Sequence, residues 1–157
     1  MSEPTGLPYQ IVDAGLRDLN RLRELEAECF AMDAWPMIDL LAALVMPGIV
    51  RLKAVVGDQM VGFIAGDIRR GSGVGWIVTL GVRQAYRRMG IARTLLQACD
   101  ERMKTARVRL SVRKSNEAAI NLYEQLGYQQ VETWTRYYVD GEDAFVLEKI
   151  HHPGYGR

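Results

Sequence analysis

Two hydrophobic periods alternate along the chain, and the points where one replaces the other mark out its elements. Tyr9 to Val12 reads as a short strand. A helical stripe follows at Leu16, Leu19, Leu22, Leu25 and Cys29, spaced three and four apart. Trp35-Pro36 breaks the chain, and a second helix, from Met37 to Val45, stops ahead of Pro47-Gly48. Val50 to Val56 and Met60 to Ile68 are apolar runs joined across Gly57-Asp58, which predicts a hairpin. Arg69 to Gly75, with three glycines, is a loop. Trp76 to Val82 has no charged residue, so it is expected to be a central strand buried on both faces.

The second half repeats the alternation. Ile91, Leu95, Cys99 and Met103 lie four apart, giving one buried helix face. Val108 to Val112 is the next strand. Asn116 to Leu126 is a helix ended by Gly127, the residue type suited to a left-handed C-terminal cap. Gln130 to Val139 and Ala144 to Ile150 read as two strands around Asp140-Gly141, a hairpin turn. On that reading Tyr137 and Tyr138 are consecutive strand residues and point to opposite faces. The order β-α-α-β-β-β-α-β-α-β-β predicts an α/β fold, a mixed sheet with helices packed on it. No repeat, linker or low-complexity segment interrupts it. A single domain over 1–157 is expected, with 1–8 and 151–157 as tails.

Composition adds limits rather than direction. The chain has 157 residues, 48% hydrophobic and 25% charged, which suits one globular domain with a sizeable core. A net charge of +1 implies no polyanion-binding surface. The local basic clusters Arg87, Arg88, Arg93 and Arg107, Arg109, Arg113, Lys114 read as solvated surface, and no stacking aromatics are interleaved with them for nucleic acid. Cys29 and Cys99 fall on helical apolar stripes, so core packing is expected, with no metal site. No apolar run reaches the roughly 18–20 residues that span a membrane, and the N-terminus lacks a signal-peptide pattern, so a cytoplasmic protein is expected.

The chemistry starts at Val82-Arg83-Gln84-Ala85-Tyr86-Arg87-Arg88-Met89-Gly90-Ile91-Ala92. Arginines, a glycine and a small residue lie between a strand and a helix. Amides at a helix start are unpaired and partly positive, and a glycine lets the backbone approach an anion closely. The spacing suits a pyrophosphate, and Arg87-x-x-Gly90-x-Ala92 resembles the acetyl-coenzyme A signature of the GNAT acetyltransferases. A second block, Leu110 to Tyr128 with Ser115-Asn116, Ala119, Tyr123 and Leu126-Gly127-Tyr128, resembles that family's second signature. A third, Arg136-Tyr137-Tyr138-Val139-Asp140-Gly141-Glu142-Asp143-Ala144, is similar to the hairpin of the RimI-type and Ard1-type protein N-terminal acetyltransferases.

The resemblance covers residues 9 to 150 and implies a GNAT fold: a mostly antiparallel central sheet whose fourth and fifth strands splay apart, with flanking helices. It implies acetyl transfer from acetyl-CoA to the N-terminal α-amine of a protein or peptide, a ribosomal protein being one candidate. Leu80, Gly81 and Val82 would line the pantetheine and acetyl group. Arg87, Arg88, Met89, Gly90, Ile91 and Ala92 would hold the pyrophosphate. Asn116 is either a helix cap or a cofactor contact. Tyr123, also at the cofactor, would be the general acid, protonated at neutral pH because a tyrosine pKa is about 10. Phe30, Met32, Asp33, Tyr137 and Tyr138 would form the acceptor site.

Ser111 departs from the pattern. RimI-type enzymes carry a glutamate there, and a serine hydroxyl is no base near neutral pH. Deprotonation through water is therefore expected, with Glu28, Asp33 and Glu142 as the carboxylates to consider if a side chain does it. Without a strong base, an α-amine, of pKa ~7.7–8.0, is easier to use than a lysine at about 10.4. The alternatives are a GNAT enzyme acting on a small amine or a lysine, and a non-catalytic acetyl-CoA-binding module.

Overall fold

The computed structural model describes residues 8–30, 36–69 and 71–151. The elements run β1 (Gln10–Asp13), α1 (Leu19–Cys29), α2 (Met37–Val45), β2 (Ile49–Val56), β3 (Gln59–Arg69), β4 (Val74–Val82), α3 (Ile91–Met103), β5 (Arg107–Arg113), α4 (Glu117–Gln125), β6 (Gln129–Trp134) and β7 (Ala144–Ile150). The strands form one sheet in the order β1-β2-β3-β4-β5-β7-β6. All neighbours are antiparallel except β4 and β5, which run parallel.

The helices divide between the two faces. Phe63 packs with Leu22, Leu25, Leu40 and Leu44 of α1 and α2. The next residue, Ile64, packs with Ile91, Leu95, Cys99 and Met103 of α3 and with Tyr123 of α4. Consecutive strand residues point to opposite faces, so α1 and α2 cover one side and α3 and α4 the other. Arg51 of β2 ties down the end of α2, its guanidinium donating to the carbonyls of Ala43 and Met46. These are helix-terminal carbonyls with no partner in their own helix.

The feature that creates the site is an incomplete ladder. β4 and β5 pair only from Val74↔Arg107 to Ile77↔Leu110. Beyond that point β4 stays bonded to β3 as far as Val82, and β5 to β7 as far as Arg113. The β3–β4 register shifts between Ala65 and Gly66, leaving Val78 as an extra residue in β4. A bulge bends its strand and increases local twist, and this one falls where β4 leaves β5. The sheet therefore opens as a V. β4 is central as expected, but Val78, Thr79 and Leu80 are only partly buried because the gap exposes them.

The predicted final hairpin needs correction. β6 and β7 are antiparallel neighbours, but β6 stops at Trp134. The Asp-Gly turn exists: Gly141 has φ +89°, and its amide donates to the Tyr138 carbonyl at 2.9 Å. It closes a loop over 135–143 rather than a strand pair. The loop's acids are drawn sideways to β5, where Arg113 Nη1 donates to Asp140 Oδ2 at 3.0 Å and to Glu142 Oε1 at 2.8 Å. Asp143 Oδ1 accepts the Arg136 amide at 2.9 Å. Charge pairing thus displaces the ladder. Tyr137 and Tyr138 do not alternate across a strand; both line one cavity, with ring centres 5.0 Å apart and planes at 87°.

Candidate active site

A cavity of about 280 Å³ occupies the opening between β4 and β5. The resemblance-derived residues Phe30, Leu80, Ser111, Asn116, Tyr123, Tyr137 and Tyr138 all line it, although they come from five different segments. Gly81 and Val82 are beside it on β4. A Cβ on Gly81 would lie 3.2 Å from both Cys29 Sγ and the Phe30 ring, so glycine is what lets the end of α1 rest against β4. Met32 and Asp33 lie outside the described residues.

Strand alternation identifies which backbone groups face the gap. The Arg83 amide donates to the Val61 carbonyl of β3 at 2.8 Å. Stepping back along the antiparallel pair, Val82 and Leu80 are opposite Gly62 and Ile64 in the non-bonded positions. Their N–H groups therefore point away from β3, towards the space β5 has vacated. The Val82 carbonyl on the same edge accepts from Arg87 Nε at 3.1 Å and from Cys29 Sγ at 3.4 Å. Arg87 is thus engaged with the strand end as well as belonging to the basic loop.

That loop follows β4 at the open end of the V. Gly90 precedes α3 with φ +80°, and a Cβ there would meet nothing within 4 Å. No side chain caps α3. Among the described residues, the amides from Arg88 to Ala92 have no backbone or side-chain acceptor. A row of free amides at the start of a 13-residue helix, with open space in front of the glycine, suits a pyrophosphate. Arg93 anchors the helix start to α4, donating to Gln125 Oε1 at 2.9 Å. Asn116 does cap α4, its Oδ1 accepting the Ala119 amide at 3.2 Å, and it also lines the cavity.

Burial sets the ionisable groups. Burial pushes the Tyr123 hydroxyl up to about 12, with the Tyr138 charge adding to the effect, so it stays protonated at neutral pH. Glu142 goes the other way. The Ser115 hydroxyl, then the Arg113 guanidinium and the Ser115 amide, hold its carboxyl down to about 2. It is a structural anion for the 135–143 loop, not a proton acceptor. Glu28 is also engaged, accepting the Gln84 amide at 2.9 Å and facing Arg83 at 3.4 Å. It ties α1 to the end of β4 and does not line the cavity.

Two cavity groups escaped the sequence reading. Arg113, taken there as surface, lines the cavity and lies 4.1 Å from the Tyr138 ring centre. Glu26 of α1 also lines it and is 2% exposed. Its Oε1 accepts from Thr79 Oγ1 at 2.8 Å. Its position carried a signal: it falls on the apolar stripe, four residues after Leu22 and three before Cys29, where a carboxylate needs a reason to be. The described residues hold no cluster of metal-ligating side chains.

Comparison with known proteins fits this geometry. The profile described as the Acetyltransferase (GNAT) family matches residues 19–128. The chain belongs to this acetyltransferase family. It is 36% identical over 137 residues to the N-alpha-acetyltransferase RimI of Mycobacterium tuberculosis, covering 84% of this chain and 86% of that one. It is 46% identical over 77 residues to an N-alpha-acetyltransferase of Sulfurisphaera tokodaii, a match spanning 46% of each chain. The ribosomal-protein-S18-alanine N-acetyltransferase of Escherichia coli superposes with a TM-score of 0.81 over 93% of this chain and 97% of that one. Its 24% identity establishes the fold alone. The GNAT fold is therefore the one expected, and neighbours that share it have been solved with acetyl-CoA, in NAA60 of Arabidopsis thaliana, and with coenzyme A, in the PaiA N-acetyltransferase of Thermoplasma acidophilum.

Proposed function

We propose that this acetyltransferase modifies the α-amine of a protein N-terminus. The observation that carries the reading is the small cavity at the splay, lined by Tyr137 and Tyr138 and by the part of β4 that has left β5. An extended chain end entering this cavity would meet Phe30 and both tyrosines, which line it together. The relatives named N-alpha-acetyltransferase support the same acceptor. A ribosomal protein is one target consistent with the RimI likeness, and the cytosol, where nascent N-termini meet acetyl-CoA, is the proposed setting.

Bound acetyl-CoA would supply an activated thioester carbonyl. The free amides of 88–92 would hold its pyrophosphate and fix its position along the gap. The N–H groups of Leu80 and Val82 face the gap, where they can donate to the carbonyl oxygen as negative charge builds on it. Tyr123 comes from the α3 and α4 face, with its hydroxyl protonated, and can give a proton to the departing sulfur. Asn116 and Arg113 shape the cavity without transferring protons.

The test is turnover of acetyl-CoA against three acceptors: free N-terminal peptides, N-blocked lysine peptides and a small polyamine. Free N-termini should react fastest. Faster acetylation of lysine or polyamine would transfer the proposal to that acceptor, and turnover of none would favour a binding module.

A further inference from the structure

The reaction needs a proton acceptor, and the position occupied by Ser111 cannot supply one. We infer that Glu26 is the general base of this enzyme, receiving the acceptor amine's proton on Oε2 from the α1 side of the gap. This rests on the acetyltransferase reading, and it holds for any amine acceptor.

Four observations meet at this residue. First, Glu26 lines the cavity although it is almost wholly buried, so the space it faces is the active-site gap rather than bulk solvent. Second, its two oxygens are treated differently. Oε1 accepts from Thr79, and Oε2 is buried with no partner among the described residues. A buried carboxylate oxygen without a partner costs stability, and such groups are normally satisfied. Third, Thr79 is on β4, one residue past the bulge, so the hydrogen bond fixes the carboxylate at the edge of the opening. Fourth, the sides are right. Leu110 and Val112 pack with α3 and α4, so Ser111 between them faces the α1 side, as Thr79 does. Tyr123 approaches from the other side. Base and acid thus stand on opposite faces of the gap, as an amine entering from one side and a thiol leaving on the other require.

Burial raises the carboxyl of Glu26 above the ordinary range, and the Thr79 hydrogen bond partly offsets this. A raised carboxylate is a stronger base. The other ionisable groups facing the cavity are Arg113 of β5, Tyr123 of α4, and Tyr137 and Tyr138 of the 135–143 loop, with Cys29 one turn along α1. Arg113 is matched by Asp140 and Glu142. Glu26 is the one carboxylate among the described lining residues.

The protons balance. Glu26 Oε2 takes one from the acceptor's ammonium and releases it to solvent. As the nitrogen–carbon bond forms and the carbon–sulfur bond breaks, Tyr123 Oη gives its proton to the sulfur. It recovers one, through solvent, from the second N–H hydrogen lost by nitrogen. The net products are the amide, the thiol and one proton.

The experiment compares wild type, Glu26→Gln and Thr79→Val by acetyl-CoA turnover from pH 5 to 9. The acceptor is whichever of the three above the wild type uses fastest. That choice judges the acceptor reading, and the ratio of variant to wild type on it judges Glu26. Wild type should show a rising limb whose midpoint stays fixed when the acceptor's amine pKa is changed. Glu26→Gln should lose about a hundredfold in turnover at neutral pH, keep its acetyl-CoA affinity by calorimetry, and acquire a limb that follows the amine. Thr79→Val removes a donor to the carboxylate and should move the limb to higher pH. Wild-type turnover in Glu26→Gln would overturn the assignment. So would a loss with the limb unmoved, which is the mark of a structural role. If Glu26→Gln does not fold, an unmoved limb in Thr79→Val overturns it equally.

Discussion

The two walls of the gap are built in different ways. The α3 and α4 wall is local: Arg87 to Ala92 are contiguous, and Asn116 and Tyr123 share one helix and its cap. The α1 wall is assembled from afar. Glu26 meets Thr79 across 53 positions, and Arg113 reaches 27 positions to Asp140. The cause is chemical. A pyrophosphate is held by consecutive amides, which one short stretch of backbone must supply. An amine site needs a few side chains converging on a point, and any elements that meet there can provide them. The wall proposed to hold the cofactor, the cofactor wall of this proposal, can therefore be tested by one backbone change, and the proposed acceptor wall only by changes in side-chain chemistry.

The largest effect should come from breaking the cofactor wall at Gly90. Its φ of +80° suits glycine, and a side chain in that conformation costs about 1–2 kcal/mol. Gly90→Glu adds a negative charge where the pyrophosphate is expected. Acetyl-CoA affinity by calorimetry should fall at least about a hundredfold, equivalent to about 2.8 kcal/mol, with the thermal melting cooperative. Unchanged affinity in the folded variant would remove the loop from the cofactor site.

Tyr123→Phe comes next and sharpens the comparison, because it alters chemistry on the cofactor wall without touching its backbone. Turnover should drop roughly 10²-fold, and acetyl-CoA affinity should barely change. The pH profile carries the sign. The hydroxyl is an acid only while protonated, and burial holds its pKa at about 12. Wild type should therefore show no falling limb from this residue below about pH 11. Full activity in the variant would return Tyr123 to a packing role beside Tyr128, whose ring centre is 5.8 Å away.

The same contrast explains what could be read from the chain. The order of elements, the hairpin of β2 and β3 and the α3 and α4 boundaries match the structure, because each follows from local periodicity or caps; the splay of β4 and β5 also matches, but it is implied only by the family resemblance. The strand expected to continue through Tyr137 and Tyr138 fails because Arg113 pulls Asp140 and Glu142 away from the ladder. A long-range charge contact of this kind leaves no mark on periodicity. Glu142 and Glu28, considered as bases, are instead fixed by Arg113, Ser115 and the Gln84 amide. Glu26 was hidden by its neighbours: a stripe scanned for apolar residues passes over the one position that breaks it.

The smallest effect is predicted at Ser111, and it probes the acceptor wall most directly. Ser111 faces the same side of the gap as Thr79 and lines the same cavity as Glu26. Its hydroxyl can orient water, but it cannot hold a proton taken from an ammonium. Ser111→Ala should therefore cost no more than about threefold in turnover, under about 0.7 kcal/mol. Ser111→Glu puts a carboxylate where RimI-type enzymes carry one, and should preserve or raise activity. Two carboxylates facing one cavity raise the pKa of at least one of them, so the rising limb should shift upward in this variant. Combining Ser111→Glu with Glu26→Gln is the sharper comparison. If the acceptor wall needs only a carboxylate at the gap, from either strand or helix, the double variant should recover much of the turnover that Glu26→Gln loses. A loss in Ser111→Ala as large as in Tyr123→Phe would mean that the proton leaves through Ser111, and that the wall depends on position rather than on having a carboxylate.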